Sequence, residues 1–500
     1  MRARFALLAV AALAVACPFD IEGDPREHAA TEDQGAPDDS HGDKPPDPGE
    51  PPPDAPVPQE PVVSDACEPY LAQLTTLARE FVDALAADQI PGGVFGVAVG
   101  DCRFSYGIGA DREGAPIDGA TRFQMASVSK LFAALTANSL VEDGLLDKHA
   151  PVSSIVAVND RAPYGDAFTL DQLLAHRAGY PDWFLSDDGS QLDRAPFFAA
   201  HANELLWAPP GEVFVYNNQG YTLAGHVLEI AGGASYAQLV QARVLDPLGL
   251  ADTRLGSTLD ATEPHSAAGA SGTPSSFALY GSDDPFYRSE FYEPMGGVWS
   301  SAEDMVALGK AIIARDPRLL SSASIDDLTR SRGPSSGKGS DYAQGLMVFG
   351  DIWTHDGATG GFLTELTMVP SRGVVMAVMV AADWAFPYPF AYGAIDMLAP
   401  GLDYGTLPPT TPAAQWAGSY ADDVILGRVV IAADGANLTL SFPDVQLGPG
   451  VPTTMTAELV GDDTYFGPFF DWGEGELVMQ TGSDGTRYAA SRNFVARAAP

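Results

Sequence analysis

Hydrophobic and polar positions change rhythm several times along this chain, and each change marks an element or a boundary. From Cys67 to about Ala87, Leu71, Leu74, Leu77, Ala78, Phe81 and Leu85 recur at the spacing of a helix with one apolar face. Gly92-Gly93 stops that pattern. Val94 to Val99 and Cys102 to Gly107 then read as two short strands joined by the tight turn Gly100-Asp101. Residues 120 to 250 read as helical with long loops, over Thr169 to His176, Gly220 to Ala231 and Tyr236 to Leu245. β-rich runs return at Met347 to Trp353, Thr364 to Val369 and Val374 to Val380, with a turn at Pro370-Ser371-Arg372-Gly373. Sheet, helices, sheet is the order of an α+β domain in which strands distant in sequence meet.

After Pro400 the texture changes. Pro408-Pro409 and Pro412 break the chain before a segment with almost no helical period. Arg428 to Ala433 and Ala436 to Phe442 form a hairpin around Asp434-Gly435, with Leu438, Leu440 and Phe442 on one face. Glu476 to Gln480 and Thr486 to Ser491 form another around Ser483-Asp484-Gly485. The expectation is a separate small all-β barrel or sandwich over residues 409–500. Its aromatics, including Tyr465, Phe466, Phe469 and Phe470, are expected in its core rather than on a ligand surface.

The N-terminal end has its own texture. Arg2 and Arg4 precede an apolar run, Phe5 to Ala16, too short to cross a bilayer and fitting a secretory signal. The run ends in Leu13-Ala14-Val15-Ala16-Cys17, which resembles a bacterial lipobox and implies lipidation of Cys17. From Pro18 to Ala66 there are fourteen acids against two bases, much proline and few large apolar residues. Such a segment cannot build a core and should be an extended, self-repelling tether. The expected organisation is a signal peptide at 1–16, lipidated Cys17 and tether at 17–66, the α+β domain at 67–402, and the β domain.

The formal charge of -39 argues against a nucleic-acid partner, because every phosphate contact would begin against repulsion. If Cys17 is lipidated, Cys67 and Cys102 are left as a pair that a disulfide could join in an exported protein, or as two buried free thiols. The histidines show no metal-ligand spacing, so neither a metal nor a cofactor is expected.

The chemistry centres on Met125-Ala126-Ser127-Val128-Ser129-Lys130. On a helix, Ser127 and Lys130 share a face, and a serine hydroxyl needs a nearby base to become a nucleophile. A second Ser-x-x-Lys, Ser335 to Lys338, lies in a Gly- and Pro-rich stretch that reads as a loop. The same stretch holds Gly333-x-Ser335-x-Gly337, a nucleophile-elbow pattern, but without the buried strand and helix that an elbow requires. Downstream come Tyr216-x-Asn218 and His355-x-Gly357.

These three motifs in this order resemble the family of class C β-lactamases, DD-peptidases, D-aminopeptidases and related esterases. Leu173-Leu174-Ala175-His176-Arg177-Ala178-Gly179, Asp246-Pro247-Leu248-Gly249-Leu250 and Gly296-Gly297-Val298-Trp299-Ser300-Ser301 extend the likeness across about Glu68 to Pro400. The resemblance implies an antiparallel sheet flanked by helices with a mostly helical subdomain. It also implies acylation of Ser127, proton movement by Lys130 and Tyr216 in either assignment, and an oxyanion site at the N–H groups of Ser127 and Ala358. Asn218, His355 and Gly357 would line the substrate, with Asn218 holding a substrate amide or the Lys130 ammonium. His355 departs from the lysine common at that position in β-lactamases, and Asp356 beside it is expected to raise the imidazole's proton affinity. His176 reads as structural.

The function expected is thus that of an extracytoplasmic, membrane-anchored serine hydrolase, in the periplasm or at the cell surface. Its partners would be a small-molecule or peptide substrate and the membrane, with esters or D-amino-acid peptides ahead of β-lactams. The alternative is a catalytically silent lipoprotein of penicillin-binding type that holds cell-wall fragments or a protein partner.

Overall fold

A computed structural model describes residues 61–182, 193–260, 263–335, 340–385, 388–405, 410–422, 424, 426–445, 454–461, 463–468, 474–492 and 494–499. The signal sequence, Cys17 and most of the tether lie outside these residues, as do Lys338, Phe469 and Phe470.

The larger unit is built on one eight-stranded antiparallel sheet of β1 (Val62–Val63), β2 (Gly93–Val99), β3 (Cys102–Ile108), β4 (Asp341–Tyr342), β5 (Met347–Phe349), β6 (Ile352–Thr359), β7 (Phe362–Val369) and β8 (Val374–Val380), in the order β1-β3-β2-β8-β7-β6-β5-β4. The early and late strands meet where Val94 faces Met379 and Val97 faces Met376. All side chains of β2 and β8 are buried, because helices cover both faces of the sheet. Helix α1 (Leu71–Ala87) packs Leu74, Leu77, Phe81 and Leu85 on one face, together with Phe390 and Ile395 of a helix near the end of this unit. On the other face lie α2 (Ser129–Glu142), α3 (Asn218–Gly232) and α4 (Ala302–Ala314), in a core that includes Leu131, Leu135, Tyr221, Met305 and Ile312. The sheet is thus an α+β scaffold with a largely helical insertion between β3 and β4.

Three elements differ from the expectation, each for a local reason. Met347 to Trp353 is not one strand but a hairpin, since Phe349 pairs with Ile352 across Gly350-Asp351 and Gly350 sits at φ +53°. The helix expected over Thr169 to His176 is Leu170–Leu174; His176 adopts φ +57° and turns the chain out. Val62-Val63 is not tether but an edge strand, pairing with Ser105 and Phe104 of β3. Beside it, Cys67 and Cys102 form a disulfide that ties the start of the helical segment to β3.

The second unit is a closed eight-stranded barrel, from Gly418–Asp422 to Phe494–Ala498, sealed by pairing of Tyr420 with Ala498. Closure leaves no open strand edge. Its interior holds Tyr420, Ile431, Leu438, Leu440, Phe442, Tyr465, Leu477 and Phe494. Alternation placed Leu438, Leu440 and Phe442 together; whether the sheet closes depends on strand tilt and stagger, which periodicity does not encode.

Candidate active site

Ser127 stands in a single 3₁₀ turn, Ala126–Val128, that feeds α2. The residue before it, Ala126, has φ +45°, a conformation that costs a non-glycine residue on the order of 1–3 kcal/mol. Packing enforces this turn. Gln124 accepts from the Ala126 N–H and donates to the Gly296 carbonyl, while Thr364 donates to the Met125 carbonyl at 2.9 Å.

Lys130 follows one turn later and is fully buried. Its Nζ donates to Ser127 Oγ at 3.0 Å and to the Met295 carbonyl at 2.7 Å, so both the ammonium and the hydroxyl are held in line. Lys130 Nζ also lies 4.9 Å from the Tyr216 ring centre and 5.4 Å from that of Tyr221.

Tyr216 comes from the loop before α3, and His176 lies directly against it, with ring centres 4.3 Å apart. His176 Nδ1 accepts the Asn217 N–H at 2.9 Å, so a neutral ring carries its proton on Nε2. Burial, with Lys130, His355 and Arg492 nearby, holds its pKa well below the usual value. The buried position and left-handed backbone agree with a structural role, and the tilted ring contact with Tyr216 adds a partner that the sequence did not reveal.

Asn217, not Asn218, caps α3, accepting from the Gly220 N–H through its side chain. Asn218 is therefore free of capping, and its Oδ1 is buried with no hydrogen-bond partner among the described residues. The two hydrogen bonds described for Lys130 Nζ go elsewhere, to Ser127 and Met295.

Strand β6 closes the other side. A Cβ on Gly357 would stand 2.3 Å from the Met125 carbonyl and 3.2 Å from Ala126 Cβ, so only glycine lets β6 touch the Ser127 turn. Ala358 follows immediately. His355 is 1% exposed: its Nδ1 donates to the Asp356 carbonyl at 2.6 Å, and Nε2 accepts from the Tyr342 hydroxyl at 2.9 Å. Burial pulls its pKa down to about 4 despite the opposing pull of Asp356, which corrects the expectation of a raised proton affinity. At neutral pH it is an uncharged brace for the pocket wall.

Two residues that motif reasoning missed complete this edge. Asp182 accepts the N–H groups of Asn218 and Gln219 at 3.0 Å each, and Arg492, from the barrel, lies 3.4 Å from Asp182 and 5.2 Å from the Tyr216 ring centre. No spacing could have flagged a pair separated by 310 positions. Ser335, the rival nucleophile, is buried and bonded to Ser340, and no strand leads into it over the described residues Ser331 to Pro334.

The family model described as Beta-lactamase matches residues 77–386. Penicillin-binding protein 4 of Amycolatopsis lactamdurans is 28% identical over 332 residues, which span 60% of this chain and 84% of that protein. The D-alanyl-D-alanine-carboxypeptidase/endopeptidase AmpH of Escherichia coli (strain K12) is 25% identical over 286 residues, 51% of this chain and 70% of that one. Among solved structures, SurE superposes with a TM-score of 0.65 at 23% identity over 86% of this chain and 99% of its own, a likeness of fold.

Proposed function

The chain belongs to the beta-lactamase family, and from that premise we propose that it is an exported serine hydrolase acylated on Ser127. The observation that carries the proposal is the 3.0 Å contact between Lys130 Nζ and Ser127 Oγ on a strained turn pressed against β6. Ser127 Oγ attacks the substrate carbonyl carbon and its proton passes to Lys130 or Tyr216. The oxyanion takes the N–H groups of Ser127 and Ala358, and collapse releases the leaving group with that proton. Water then hydrolyses the acyl-enzyme by the same route in reverse. Asn218 Oδ1, buried without a partner, accepts an N–H of the substrate.

The substrate class follows from His355. A buried neutral imidazole already bonded to Tyr342 offers no cation to a penicillin carboxylate, which supports small esters or D-amino-acid peptides over β-lactams. The lipobox-like Leu13 to Cys17 supports anchoring through Cys17 in an extracytoplasmic compartment; a diacylglycerol mass on Cys17 of the native protein is the expected finding. Turnover of p-nitrophenyl esters, D-amino-acid p-nitroanilides and nitrocefin by wild type and Ser127→Ala tests the reaction. The expected order is ester or D-anilide above nitrocefin, all lost in the variant. A folded protein inert to all three would favour the silent binding protein.

A further inference from the structure

The barrel meets the hydrolase unit at the segment that carries the active-site tyrosine. Gln480 of the barrel brackets Phe214, accepting its N–H and donating to its carbonyl, both at 2.9 Å. Ser483 gives its backbone N–H and hydroxyl to the two oxygens of Glu212, at 2.6 and 2.7 Å. Between these contacts Tyr488, Ala490 and Val495 pack on Trp207, Ala208, Val213 and Val215 in a small core of their own. The loop that delivers Tyr216 is thus held to the barrel at Glu212 and Phe214 by hydrogen bonds, to the turn residue Ser483 and to Gln480 of a strand, and at Val213 and Val215 by packing. At the end of this seam Arg492 reaches Asp182, which is 4% exposed and holds the first two N–H groups of α3, those of Asn218 and Gln219.

A buried carboxylate at a helix start is tenable when a cation accompanies it. Arg492 supplies that cation from the other unit. Removing the guanidinium would leave Asp182 buried and uncompensated, and its grip on Asn218 and Gln219, next in sequence to Tyr216, would slacken. Resting on the serine-hydrolase reading above, we propose that the barrel is a working part of the active site. Through Arg492 and Asp182 it fixes the Tyr216–Asn218 edge of the pocket, with Arg492 as a positioning residue.

The charged and titratable groups facing Tyr216 include Lys130 of α2 at 4.9 Å and Arg492 at 5.2 Å, with His176 at 4.3 Å and His355 of β6 at 6.4 Å, both neutral, and the phenols of Tyr221 in α3 and Tyr342 in β4, which burial holds protonated. Where Tyr216 is the proton acceptor, loss of one of the two cations beside it disfavours the phenolate, and activity then requires a higher pH.

The test uses the full chain with Arg492→Ala, Arg492→Lys and, as a barrel control, Arg428→Ala, whose ion pair with Asp444 is exposed on both sides. Ser127→Ala controls for the nucleophile. For a p-nitrophenyl ester, Arg492→Ala should lower kcat about 10- to 100-fold, the scale of a small misplacement of catalytic groups, with KM within threefold. The acid limb of the kcat profile should move to higher pH. Arg492→Lys should recover part of kcat, and Arg428→Ala should match wild type. A wild-type kcat in Arg492→Ala, or a loss confined to KM, would overturn the positioning role while Ser127-dependent turnover stood. Absence of Ser127-dependent turnover in wild type would remove the hydrolase reading and this proposal with it.

Discussion

Gly357→Ala isolates the contact on which the site depends. Its Cβ would lie 2.3 Å from the Met125 carbonyl oxygen and 2.5 Å from Thr364 Oγ1, against an ordinary contact of 3.4 Å or more. The threonine hydroxyl can rotate away, although it then loses its bond to the Met125 carbonyl. The carbonyl itself belongs to the turn that presents Ser127, so β6 and that turn must part by about 1 Å. Such a misplacement, of a methyl group into a packed site, costs about 1–3 kcal/mol of stability. It also widens the gap between the Ser127 and Ala358 N–H groups, and losing one oxyanion donor lowers kcat about 10²- to 10³-fold. Ester hydrolysis should therefore fall by about that factor while the variant stays folded by circular dichroism. Gly393→Ala is the control, because nothing lies within 4 Å of its added methyl; activity should be unchanged. A Gly357→Ala enzyme within threefold of wild type would refute the close approach of β6 to the nucleophile turn.

Three further outcomes are expected. Replacing both Cys67 and Cys102 by serine opens a loop of 35 residues and should cost about 4 kcal/mol in urea unfolding, with Ser127 labelling retained. Glu365 is buried and its carboxyl is pushed up to about 7, so its folded pKa lies above its unfolded one; the stability it contributes below pH 4.5 is lost as pH rises toward 7. Glu365→Gln should remove that slope and gain about 3 kcal/mol on wild type between pH 4.5 and 8, read from urea midpoints. His355, pulled down to about 4, favours folding fully above pH 6.5 and loses that contribution as pH falls toward 4. Its ring should stay neutral at pH 5.5 by NMR, and a charged ring there would contradict the downward pull of burial.

The candidate constellation was legible where contacts follow local geometry. Ser127 and Lys130 meet because a helix brings residues three apart together, and the alternation in Leu438, Leu440 and Phe442 set one face of the barrel. Legibility failed where tertiary packing decides. Met347 to Trp353 hides a turn because β-branched and aromatic residues flank Gly350-Asp351 on both sides. The His355 imidazole could not be ranked from its neighbour Asp356, since burial outweighs that charge and depends on Tyr342 arriving from β4. Asn217 and Asn218 are indistinguishable in sequence; only the helix start shows that the first caps and that the Oδ1 of the second is left without a hydrogen-bond partner among the described residues. Arg492 and Asp182 carry no motif at all, because they lie 310 positions apart and meet only through tertiary packing.

The central claim is that Ser127 is the acylated nucleophile. Incubating the chain with a fluorophosphonate and mapping the adduct by peptide mass spectrometry tests it directly. The account expects a single modification on the peptide containing Ser127, absent in Ser127→Ala and slowed in Lys130→Ala. An adduct on another serine, Ser335 included, or labelling that persists in Ser127→Ala, would contradict it.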